Sequence, residues 1–165
     1  MNLRTRLSRS NGYRELGMFD ESILILEDIP FEEDRWHPLV VEARYNTYRD
    51  AKEWTLAMTM AKLKHESKPN SLEWLLNYAA AHHQMGDTKK AIACLRDPKI
   101  PQFEEAEYLF RLGKYHAILG NVEEAKNLVR RVFKLNGSFK ADFLDDPAFD
   151  SVWESFWVKL FFSYL

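Results

Sequence analysis

The chain has 165 residues, 46% of them hydrophobic and 29% charged, with 23 basic against 25 acidic side chains and a formal net charge of −2. That composition excludes a disordered or low-complexity protein, and the balanced charge supplies no field to attract nucleic acid or an anionic membrane. A single cysteine, Cys94, excludes an internal disulfide, and no charged-then-apolar leader is read, so a cytoplasmic setting and one domain over 1–165 are expected.

The first periodic run carries Arg4, Arg6, Arg9 and Arg14 and stops at Gly17; Phe19, Ser22 and Leu26 then stand two, five and nine residues on. Thirty-five residues after Gly17, Lys52 holds the same place, followed by Trp54 and Ala57. Gly86 comes 34 residues later, with Thr88, Ala91 and Leu95, and Gly120 another 34 on, with Ala125 and Val129. Four copies therefore share one frame, over about 3–37, 38–71, 72–105 and 106–139.

Each copy places an apolar-periodic run on either side of its anchor, which predicts two antiparallel helices joined by a short turn. Glycine stops the first helix in the left-handed conformation, while Asp87 and Asn121 are the expected N-caps of the second, with Glu124 completing a capping box. The small residue five places on faces the first helix, where two backbones approach closely, and Leu26, Leu95 and Val129 fill the wider space beyond it.

Further along each copy, Leu112-Gly113 precede the last anchor, Tyr13 and Tyr48 stand four residues before theirs, and Pro69 closes the second copy. This pattern resembles the tetratricopeptide repeat family over about residues 3 to 138, with Arg9-Ser10 and Arg44-Tyr45 replacing the usual Leu-Gly and His82 and His116 replacing the aromatic. The resemblance implies an all-α chain, a right-handed α-solenoid of four tandem helical hairpins with a capping helix, whose first helices line a concave groove for a partner peptide.

The resemblance also gives the groove-facing places: Arg4, Leu7, Asn11, Arg14 and Glu15, then Leu39, Glu42, Asn46, Arg49 and Asp50. Glu73, Leu76, Ala80, His83 and Gln84 follow in the third copy, and Glu107, Phe110, Lys114, Ala117 and Ile118 in the fourth. A subclass of the family grips a chaperone's C-terminal carboxylate with two lysines, two asparagines and a further cation. Asn46, Asn77 and Arg111 fit that pattern, but Glu42 and Glu107 hold both lysine places, so no such clamp is expected. The reading is that Asn46 and Asn77 hold a peptide backbone while Glu42, Asp50, Glu73 and Glu107 prefer a basic or amide-bearing side chain.

Of the histidines, His82 and His116 occupy equivalent places and are read as core imidazoles, because equivalent residues of stacked hairpins lie on the order of 10 Å apart and zinc bonds span only about 2.0 Å. His83 is the groove candidate. Cys94 reads as a small core residue, and the absence of a nucleophile elbow, phosphate loop or paired metal motif points to no enzyme, no metal and no cofactor.

Asp146-Pro147 predicts an N-cap and first helical position, opening a capping helix over about 146–164. Phe149, Val152, Trp153, Phe156, Trp157, Leu160, Phe161 and Tyr164 form its packing stripe. Eight of the 23 aromatic residues lie in the last 23 positions, and Trp157, Val158, Phe162 and Leu165 are candidates for a second contact surface or for self-association. Lys159 interrupts the run, which is too short for a membrane span. The function expected is a non-catalytic adaptor binding another protein or peptide, and the alternative is a client-specific chaperone resembling the small tetratricopeptide secretion chaperones.

Overall fold

The computed structural model describes residues 2–29, 36–97 and 105–155, which contain nine α-helices, a short 3-10 turn, a further helical stretch at 150–155 and no strand. They fall into two compact units, Met1–Gly86 and Asp87–Leu165.

The first unit holds α1 (Leu3–Glu15), α2 (Phe19–Glu27), α3 (Pro38–Asp50), α4 (Trp54–Ser67) and α5 (Leu72–Gln84). Local chemistry opens these helices. Asn2 Oδ1 accepts from the Thr5 amide at 2.9 Å, Pro38 starts α3, and the Ser71 hydroxyl accepts from the Trp74 amide at 3.5 Å. The anchors close them: Gly17, Lys52 and Gly86 have φ of 75°, 61° and 84°, and Gly120 in the other unit has 76°. At each anchor the amide reaches back three residues, to the carbonyls of Arg14, Arg49, His83 and Ala117. The next amide donates to Tyr13, Tyr48 and His116 in the copies of Gly17, Lys52 and Gly120, which is the Schellman arrangement that satisfies the last turn.

The small residue of each copy is sealed: Ser22, Ala57, Ala91 and Ala125 all have 0% exposure. Where the first copy has serine, the Ser22 hydroxyl donates to the Ser10 carbonyl at 2.9 Å and lies 2.8 Å from Ser10 Oγ and 3.1 Å from Thr47 Oγ1. One core groups Val41, Tyr45, Tyr48, Ala57, Met60, Ala61 and Trp74; another groups Leu26, Ile29 and Val40 with Leu3, Leu7 and Ala43.

The second unit holds α6 (Thr88–Leu95), α7 (Ala106–Ile118), α8 (Val122–Leu135), α9 (Phe139–Asp145), the 3-10 turn Pro147–Phe149 and a helical stretch at 150–155. Asp87 caps α6 as expected, accepting from the Lys90 amide at 3.0 Å. Asn121 does not cap α8. Its amide lies 3.3 Å from His116 Nδ1 instead, and Glu124 pairs with Arg96, so neither half of the expected capping box forms. The imidazole five residues earlier competes for the asparagine, and a guanidinium takes the glutamate. At Gly113 an added Cβ would stand 3.4 Å from Leu128 Cβ, so the glycine of the Leu-Gly pair lies where α7 packs closely on α8.

Helix α9 was not expected from the sequence, which carried the fourth copy on to 139; α8 ends at Leu135. Asp146 does cap the following turn, accepting from the Ala148 amide at 3.1 Å. Phe143, Phe149 and Val152, all at 0% exposure, pack with Ala117, Ala125 and Val129. The remainder of the expected capping helix, and with it Trp157, Val158, Phe162 and Leu165, lies outside the described residues.

Candidate peptide-binding site

On the first unit, most charged groove candidates of α1 and α3 are already engaged. Arg14 ion-pairs with Asp50, and Arg49 Nη2 meets the same carboxylate at 2.8 Å. Burial raises the Asp50 pKa, but hydrogen bonds and charge from Arg14 and Arg49 outweigh it and hold the carboxyl below the usual range. Asn11 Oδ1 accepts from Arg14 Nη2 at 2.7 Å, and its amide donates to Glu15 at 2.7 Å. The cluster is therefore a closed network across α1 and α3.

Glu42 is similarly occupied. Lys64, whose side chain is only 4% exposed, donates to Glu42 Oε2 at 3.0 Å and to the Pro38 carbonyl at 3.1 Å, and its ammonium sits 4.7 Å from the centroid of the Trp74 ring. A buried ammonium needs such partners. Sequence reasoning missed Lys64 because lysine is normally solvated. The signal was present, since Ala57, Met60, Ala61 and Lys64 form one continuous buried stripe of α4.

Asn46 and Asn77 are placed differently. Both are half-buried, on α3 and α5, and among the described residues neither side-chain amide makes a hydrogen bond. Their helices meet through Tyr45 and Trp74, whose rings stand edge to face with centroids 5.2 Å apart. Glu73 is exposed and makes no ion pair among the described residues. His83 is half-buried, while His82 sets its ring edge-on to Tyr78 at 4.9 Å.

On the second unit, Glu107 and Arg111 face each other one helical turn apart at 3.9 Å. Lys114 pairs with Asp146 at 2.6 Å, and Phe110 packs between Phe139 and Phe149 with both ring centroids 5.3 Å away. The chain's own 139–155 segment thus packs on Phe110, Lys114 and Ala117 of the α7 face that the resemblance assigned to the groove, while Glu107 and Ile118 stay exposed. His116 is buried, and burial followed by the charge of Arg96 depresses its pKa, against a smaller opposing effect of Glu124. No group of three or more His, Cys, Asp or Glu able to hold a metal ion exists among the described residues, and no described helix is long and apolar enough to cross a membrane.

The tetratricopeptide repeat family model matches residues 73–97 and 106–139. Among solved structures, the chain is similar to MamA MSR-1, with a TM-score of 0.67, 17% identity and coverage of 84% of this chain and 79% of that one. The MamA RS-1 ArsTM double mutant gives a TM-score of 0.66 at 15% identity, covering 82% of this chain and 75% of that one. MamA AMB-1 gives 0.59 at 14%, covering 81% and 72%. No curated protein matches. At these identities the structural likeness concerns the fold. The family model marks tetratricopeptide repeats at residues 73–97 and 106–139, and the structural likeness, with the common geometry of the four anchors, shows the same fold of tandem helical hairpins.

Proposed function

We propose that this chain is a non-catalytic cytoplasmic adaptor that holds an extended partner peptide against α3 and α5, with the amides of Asn46 and Asn77 bonding the peptide backbone. The observation that carries this reading is the contrast among the polar candidates. Asn11, Arg14, Glu42, Arg49 and Asp50 are satisfied within the fold, whereas Asn46 and Asn77 are half-buried with no hydrogen-bond partner among the described residues. An amide presents both donor and acceptor, so it can bridge a peptide N–H or C=O without regard to sequence. Glu73 supplies side-chain preference toward a basic or amide-bearing residue, and His83 lies on the same helix, α5. Arg111 and Glu107 neutralise one another on α7, and Lys114 is tied to Asp146, so the second unit contributes less charge to recognition than its sequence suggests.

The test is affinity capture from host lysate with the intact protein beside an Asn46→Ala, Asn77→Ala variant. A partner retained by the first and lost by the second supports the proposal. A partner held equally by both overturns it. A partner that stays soluble only when co-expressed would mark the chain as a client-specific chaperone.

A further inference from the structure

Within the first unit, the turn between α1 and α2, helix α2 and the turn between α3 and α4 enclose a cleft of about 470 Å³, a volume that accommodates a large side chain with its neighbours. Phe19, Ile23 and Tyr48 give it an apolar lining, and Met18 and Leu56, 38% and 44% exposed, extend that lining to solvent. Asp20, Glu21, Glu27 and Glu53 line the same cleft and are all exposed. Among the described residues none of these four carboxylates makes an ion pair, whereas neighbouring Asp28 is held by Arg6. Around three of them, Asp20, Glu21 and Glu27, the sequence offers no compensation, since residues 15–34 contain eight acidic residues and no Lys, Arg or His; Glu53 has Lys52 beside it in the chain.

An apolar lining by itself would accept any apolar anchor. The four unpaired carboxylates decide the sign of what accompanies it: a neutral segment would desolvate them without return, and an acidic one would be repelled. We infer that this cleft is a second docking site, for a basic segment of a partner protein in which an aromatic or apolar residue is flanked by Lys or Arg. The anchor packs against Phe19, Ile23 and Tyr48. The flanking cations reach the carboxylates while their aliphatic stems lie over Met18 and Leu56. The cleft uses α2, two turns, Tyr48 of α3 and Leu56 of α4, but none of the groove candidates of α3 and α5, so it stands whether or not the peptide site at Asn46 and Asn77 does.

The probe is a fluorescein-labelled synthetic peptide with one phenylalanine between two pairs of arginines, titrated with the full chain by fluorescence anisotropy. The expected result is saturable binding that weakens about tenfold in a Glu21→Gln, Glu53→Gln variant and falls away as salt rises toward ~1 M. Both residues are exposed, so the variant retains the fold, which its melting curve checks. Replacing the peptide's phenylalanine by glycine weakens binding too, and the Asn46→Ala, Asn77→Ala variant binds like the parent. Absence of saturable binding, equal affinity for the parent and the double glutamine variant, or indifference to the phenylalanine overturns the inference.

Discussion

Lys52 and Gly86 adopt the same left-handed backbone 34 residues apart, with φ of 61° and 84°, although only one of them is a glycine. A lysine there sustains a steric cost that glycine does not, of roughly 1 kcal/mol. Lys52→Gly is therefore expected to raise stability by about that amount, and Gly86→Ala to lower it by about the same. Urea denaturation of both variants checks this; a destabilised Lys52→Gly protein would show that the lysine side chain contributes more than its backbone costs.

Ser22 fills a place that is alanine in the other three copies, and its hydroxyl is shared with Ser10 and Thr47. Ser22→Ala removes the hydroxyl next to Ser10 Oγ, while Thr47 Oγ1 keeps its 3.0 Å bond to the Ala43 carbonyl. The expected cost is about 1 kcal/mol. A Ser10→Ala, Ser22→Ala double variant should recover most of it, since both partners are then gone. A double-mutant cycle by chemical denaturation measures the coupling, and simple additivity would contradict the network.

The buried ammonium of Lys64 makes Glu42 a structural residue as well as a groove candidate. Reversal by Glu42→Lys places two ammoniums together and is expected to cost about 1–3 kcal/mol, less than for a fully sealed pair because Glu42 is 44% exposed. Glu73→Lys, on an exposed residue without an ion pair among the described residues, is expected to leave the melting temperature nearly unchanged. Calorimetry of the two variants separates them.

Burial and the Arg96 charge hold the His116 pKa below its ordinary 6.5. The folded state thus favours neutral imidazole, and below about pH 6.5 the unfolded chain binds the extra proton. The His116 contribution is present above that pH and is lost as pH falls through the lower folded-state value. His116→Phe, which installs an aromatic side chain of the kind the repeat pattern has at this place, is expected to flatten that part of the stability profile. The check is the difference between the two proteins' urea midpoints from pH 7.5 to 5; parallel profiles would sink the idea.

The helix pairs were legible because they depend on periodicity and on a few local positions. Gly17, Gly86 and Gly120 announced left-handed stops, and the matched spacing of Lys52 placed it in the same frame, which its φ of 61° shares. Ser22, Ala57, Ala91 and Ala125 announced close helix contacts, and all four are sealed. Helix α9 escaped because it is only seven residues long, although the Phe139 and Phe143 spacing of one turn was its trace. The Asn121 cap failed because its competitor, His116, lies on the other helix of the hairpin.

What the sequence by itself determined is the repeat: its frame, its turns, its small contact residues and the family it resembles, all carried by interactions between residues close along the chain. Only the tertiary structure decided which polar side chains remain available, because Arg14 meets Asp50, Lys64 meets Glu42 and Lys114 meets Asp146 across 36, 22 and 32 residues of chain. Charge is long-ranged, and its partner is chosen by packing, which no local pattern encodes.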